Sequence, residues 1–164
     1  MLVVADTSPI NYLVLLEQTA VLPALYTRVW LPPAVLRELR DPEAPEPVRA
    51  WAADLPTWCE VRRPTVQIET EALAHLGAGE REAIVLAQEV RADLLLIDEA
   101  DGRRVARSRG LTVTGTLGVL ERAAERGLLE LPSTLARLLT TTFRVRDELL
   151  HAMLARDAAR KRPG

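Results

Sequence analysis

Two short apolar runs end on aspartate, and that repeated junction constrains the fold more than any other feature. Leu2-Val3-Val4-Ala5 stops at Asp6, and Leu94-Leu95-Leu96-Ile97 stops at Asp98. Four apolar residues with no polar alternation read as a strand buried on both faces. Each run is followed by a helical pattern. After Asp6, Thr7-Ser8-Pro9 offers a hydroxyl cap and a proline for the first helical position, and Ile10, Leu13, Val14 and Leu16 follow at helical spacing. After Asp98, residues 99–108 carry Val105 and Ala106, and Gly110 is placed to end the helix. Buried strands joined through helices need crossover connections, which implies a parallel sheet.

The rest of the chain keeps this alternation. A short helix is expected over 19–26, a strand over 28–31, and a helix over 34–40 after Pro32-Pro33. Residues 41–47, rich in Pro and Glu, read as an exposed loop before a helix over 48–55 and a short edge strand over 58–61. Leu76-Gly77-Ala78-Gly79 is a tight turn ahead of a helix over 80–91 that buries Ala83, Ile84, Ala87 and Val90. A strand over 111–114 and a helix over 115–126 complete the α/β core. Two further helices, 133–140 and 147–159, extend it. The expected fold is therefore α/β, three layers with a mostly parallel central sheet flanked by helices, plus C-terminal helices. One domain spans 1–157, with its core at about 1–127 and a helical addition at 128–157, and a basic tail follows at 158–164.

Composition narrows the chemistry. Of 21 basic residues twenty are Arg, and the one Lys is Lys161. That excludes a Schiff-base lysine and a phosphate-binding lysine after a Gly-rich loop. One Cys (Cys59) and two His (His75, His151) leave no disulfide framework and no Cys/His zinc site within the chain. Trp30, Trp51 and Trp58 read as core or interface residues. No apolar run approaches the roughly 18 residues of a membrane span, and the start MLVVAD has no basic n-region, so a cytoplasmic protein is expected.

Carboxylates are what remain, 23 in all. In an open parallel sheet, ligands bind outside the carboxyl ends of the strands. Asp6 and Asp98 stand at that rim. Glu38 lies in the helix after the second strand, at the border of its apolar face. Glu80 and Glu82 lie in the first turn of the helix after Gly79; their spacing puts them on different faces, with Glu82 bordering the buried side. Glu99 and Asp101 follow Asp98. Two carboxylates about 4 Å apart repel by roughly 4 kcal/mol at an effective dielectric of 20. If Asp6, Glu38, Glu82 and Asp98 converge, either their pKa values rise or a divalent cation neutralises them. All-oxygen ligation selects Mg²⁺ or Mn²⁺.

Four segments, in this order, resemble the PIN-domain nucleases, in the branch close to VapC-type toxins: VVADTSPI, LPPAVLREL, LGAGEREAIVLA and LLLIDEADGRRVARSRGLTVTGTLGVL. The resemblance covers about residues 1–127. It implies an acidic pocket holding Mg²⁺ or Mn²⁺, and carries the metal and catalytic roles onto Asp6, Glu38, Glu82 and Asp98. Glu99, Asp101 and Glu80 are the lesser choices. Glu82 stands where the family often has Asp, and no Thr precedes Asp98. Thr7, Ser8, Arg103, Arg104 and Arg107 are expected to contact substrate. The implied activity is endoribonuclease cleavage of RNA, as the toxin of a toxin–antitoxin pair. The implied partners are an RNA substrate, a cognate antitoxin and a second copy of the chain, with no membrane partner. The rival reading is a PIN-like nucleic-acid-binding or regulatory module with weak or lost cleavage. A haloacid-dehalogenase-type phosphohydrolase would need a second Asp where Ser8 stands, and both it and a receiver domain would need a Lys that the chain lacks.

Overall fold

The computed structural model describes residues 1–68 and 71–163, in two compact units divided after Thr116. The first unit is built on five strands: β1 (Leu2–Ala5), β2 (Arg28–Leu31), β3 (Cys59–Val61), β4 (Leu94–Leu96) and β5 (Val113–Thr114). Their order across the sheet is β3-β2-β1-β4-β5, and every pairing is parallel. Six helices connect them: α1 (Thr7–Leu15), α2 (Val21–Leu25), α3 (Pro33–Leu39), α4 (Glu46–Ala53), α5 (Ala78–Glu89) and α6 (Ala100–Ser108). The mostly parallel sheet expected from the sequence is wholly parallel, and it is flanked by helices.

The apolar runs form the centre as their composition requires. Val3, Val4, Ala5, Leu95, Leu96 and Ile97 are fully buried. Ala83, Ile84, Leu86 and Ala87 of α5 pack with Val4, Leu95, Ile97 and Ala106 in one cluster. Each large side chain among them contributes roughly 1.5–3 kcal/mol by leaving water, so the strand ends that carry the acids are held on a rigid base. Register sets their height. Ala5 lies opposite Leu96, and the Asp6 amide donates to the Leu96 carbonyl at 2.9 Å.

Some boundaries shift for local reasons. The helix after β1 begins at Thr7, so Pro9 takes its third position, not its first, and the Thr7 hydroxyl caps nothing. Asp6 holds the capping position in extended backbone with no side-chain cap bond. The expected 19–26 helix shortens to five residues around Pro23. Gly110 ends α6 at φ +81, as its place in the sequence suggested.

The second unit holds α7 from Leu117 to Glu125 (its first residue, Thr116, belongs to the first unit), α8 (Leu131–Leu138) and α9 (Asp147–Lys161). Leu131, Leu135, Leu138 and Met153 are buried, whereas Leu139 and Leu149 are exposed. Residues 158–161, expected in a basic tail, complete α9. Their charges are used within the unit. Lys161 donates to Glu130 at 2.8 Å and reaches Asp157 at 2.9 Å, and Arg160 also pairs with Asp157. Arg156 grips both oxygens of Glu121, at 2.6 and 3.1 Å. Gly164, the last residue of the expected tail, lies outside the described residues. Among the described residues no helix is long and apolar enough to cross a membrane.

Candidate functional site

The strand order reverses at β1, whose neighbours β2 and β4 lie on either side of it. Such a switch point opens a crevice outside the carboxyl ends of the strands. Asp6 stands there, 3% exposed, and its Oδ1 has no hydrogen-bond partner among the described residues. Burial pushes its carboxyl up to about 7; the Thr7 backbone N–H opposes this, and the charges of Glu80, Glu38 and Asp98 add to it. A carboxyl at such a value shares its proton about evenly with water at neutral pH. Four acids from four segments therefore act on one another at this rim.

Each of the other three accepts from a backbone amide. Glu38, on α3, accepts from the Thr7 hydroxyl and from the Gly79 amide at 3.1 Å. Glu80, in the first turn of α5, accepts from the Gly77 amide at 3.4 Å. Its carboxyl is raised by burial, against the Gly77 bond, and further by Glu99, Glu38 and Asp101. Asp98 accepts from both the amide and the hydroxyl of Thr116, each at 2.7 Å. Burial raises it; the Thr116 bonds and the Arg103 charge work against that, and Glu99 with it.

Glu82, expected as the third acid, is turned elsewhere. Its Oε1 accepts from the Ala34 amide at 3.3 Å and its Oε2 faces Arg37 at 3.5 Å. The cause lies in α3, which opens on Pro32-Pro33 with no side-chain cap. A carboxylate from α5 serves its free first-turn amide instead. The buried border on which Glu82 sits is thus the α3 contact and not the rim. Glu80, placed second on the sequence, joins Asp6, Glu38 and Asp98.

The remaining candidates divide in the same way. Asp98 is the partly covered acid after β4, while Glu99 is exposed at the capping position of α6 and Asp101 pairs with Arg104 at 3.1 Å on the surface. Thr7 is engaged with Glu38, and Ser8 beside it is half-buried. Arg103 is half-buried beside Asp98, and Arg107 is exposed. Sequence reasoning missed Thr116. The available signal was a Gly-Thr pair directly after the last strand, where a helix-opening amide and hydroxyl fall free together.

A hard divalent cation fits this donor set. The four side chains offer only carboxylate oxygens, and one of them, Asp6 Oδ1, is buried with no hydrogen-bond partner among the described residues. As placed, the carboxylates rest on donors of the chain, and no three acidic, His or Cys groups among the described residues close on one point.

The fold and the rim define an α/β protein with a cluster of acids at its switch point. A family model described as the PIN domain matches residues 2–158, and the chain belongs to that family, a fold generally used by nucleases. Among solved structures the chain is similar to a PilT N-terminus domain protein from the hyperthermophilic archaeon Sulfolobus solfataricus P2. The identity is 15%, the TM-score is 0.51, and 89% of this chain and 100% of that one are covered, a likeness of fold. No curated protein matches the chain.

Proposed function

We propose that the chain is a Mg²⁺- or Mn²⁺-dependent endoribonuclease, with Asp6, Glu38, Glu80 and Asp98 as the residues that hold the ion. The observation that carries this reading is the buried, unpartnered Oδ1 of Asp6, set among three further acids at the switch point. A bound ion of this class supplies an activated water and stabilises charge on a phosphoryl oxygen. The chain's residues do the rest. Thr7 and the Gly79 amide orient Glu38, and Thr116 orients Asp98. Arg103, beside Asp98, is the guanidinium best placed for a phosphate oxygen. Arg104 and Arg107, farther out on the α6 surface, meet only the backbone of a longer substrate and so position it without reading its bases.

The decisive experiment compares cleavage of single-stranded RNA with Mn²⁺ by the wild type and by Asp6→Asn. Cleavage by the wild type alone is expected, and equal activity in both overturns the mechanism. A role as the toxin of a toxin–antitoxin pair rests on the resemblance to VapC-type proteins, and growth arrest on induced expression, relieved by Asp6→Asn, tests it.

A second reading has its own support. Glu38, Glu80 and Asp98 are each satisfied by the chain itself, which suits a PIN-like nucleic-acid-binding module without cleavage. No heat of Mn²⁺ binding at millimolar metal would favour that module.

A further inference from the structure

Four glycines of the first unit separate into two kinds. Gly110 has φ +81, and a Cβ built on it meets nothing within 4 Å, so it serves the turn. Gly79, Gly102 and Gly115 have no left-handed backbone to justify them. Gly79 and Gly102 lie in the first turns of α5 and α6, where no turn geometry calls for a glycine. What they share is an acid overhead. A Cβ on Gly79 would run into the Glu38 carboxylate. One on Gly102 would stand 2.5 Å from Glu80 Oε2 and 2.6 Å from Ile97 Cδ1. One on Gly115 would stand 2.5 Å from Asp98 Oδ1 and 3.0 Å from Arg103 Nη1.

We infer that Gly79, Gly102 and Gly115 are positioning residues, each the floor that lets one carboxylate of the acidic site lie against a helix start. The inference deepens the reading of the acids as an ion site and rests on it. Its content is that ion affinity depends on the missing methyl groups as well as on the charges. An alanine at any of the three keeps every carboxylate and every charge, yet displaces one donor. The floors come from the first turns of α5 and α6 and from the residue before Thr116. Three separate segments therefore give up a side chain to the same crevice.

Gly102 gives the sharpest test, because its clash has two parts that can be separated. Ile97→Val removes the Cδ1 in its way and leaves Glu80 where it is. Calorimetric Mn²⁺ binding and thermal unfolding are measured on the full chain for the wild type, Gly102→Ala, Ile97→Val, Gly102→Ala with Ile97→Val, Gly115→Ala and Gly110→Asn. Gly102→Ala, the double variant and Gly115→Ala are expected to bind Mn²⁺ at least about tenfold more weakly than the wild type, and Ile97→Val and Gly110→Asn within about a factor of two of it. The double variant should unfold at a higher temperature than Gly102→Ala, while its affinity does not recover. Affinity that returns together with stability overturns the inference, because the glycine would then serve only the core. So does wild-type affinity in Gly102→Ala and Gly115→Ala. A wild type that binds no Mn²⁺ overturns the ion site itself, an outcome distinct from either.

Discussion

Asp6 and Asp157 are covered almost equally, at 3% and 4% exposure, yet their protons are held in opposite ways. Asp6 sits among acids, keeps one oxygen without a partner, and is raised to about 7. At Asp157 burial also works to raise the carboxyl. Hydrogen bonds and charge from Lys161 and Arg160 outweigh it and hold the group below the usual range. Those partners remain 38% and 35% exposed, so Asp157 keeps a route to solvent through them. Cover alone therefore says little about what an acid does. The company it keeps separates an acid that braces a helical unit from one set among like charges.

That contrast can be broken by experiment, and the largest effect belongs to the rim. Asp6→Asn should lower Mn²⁺-dependent RNA cleavage by more than about 100-fold, whereas Asp157→Asn should leave it near the wild-type rate in the same assay. Next comes the pair on α5. Glu80→Gln should weaken Mn²⁺ binding at least about tenfold by calorimetry. Glu82→Gln, which keeps an oxygen for the Ala34 amide, should bind as the wild type does. Glu82→Ala should instead cost about 1 kcal/mol in chemical denaturation, as the loss of a helix cap does.

The pH dependence of the metal-free chain comes third, and the two aspartates push it in opposite directions. Asp6 binds its proton more tightly in the fold than in the unfolded chain. Its contribution is thus unfavourable above pH 7 and is relieved as pH falls from about 7 toward 4, by roughly 4 kcal/mol at most. Asp157 has a lowered folded value, so its contribution is present above the unfolded value near 4 and is lost as pH falls through the folded one. Unfolding in chelator at pH 7 and pH 5 should show the wild type gaining stability at the lower pH. Asp6→Asn should be more stable than the wild type at pH 7 and lose most of that gain. The smallest effect is expected from Asp157→Ala, a fall in Tm of roughly 3–6 °C with RNA cleavage unchanged.

Much of the fold was legible because its signals are local. Leu2–Ala5 and Leu94–Ile97 announce buried strands by composition, and each is followed within a few residues by helix signals, from which a parallel sheet follows. Asp6 and Asp98 were legible as rim residues for the same reason. The third acid was not. Glu80 and Glu82 stand two residues apart near the start of one helix, and choosing between them needs the approach of α3, which sequence periodicity does not contain. The want of a cap after Pro32-Pro33 was visible, but not that α5 would fill it. Thr116 lies 18 residues from Asp98, and the glycine floors lie up to 41 residues from their acids. No window of a single element includes such pairs.

The parallel pairing of β1 with β4 also orders events during synthesis. Residues 2–5 leave the ribosome some ninety residues ahead of their neighbour at 94–96, so this contact of high sequence separation forms late. Until then Asp6 lacks both the cover of β4 and the charge of Asp98. A nascent or truncated chain that ends before β4 thus carries three of the four acids and no crevice to hold them. If the complete chain cuts RNA, the register that builds its site also keeps the half-made protein harmless to the message it is being read from.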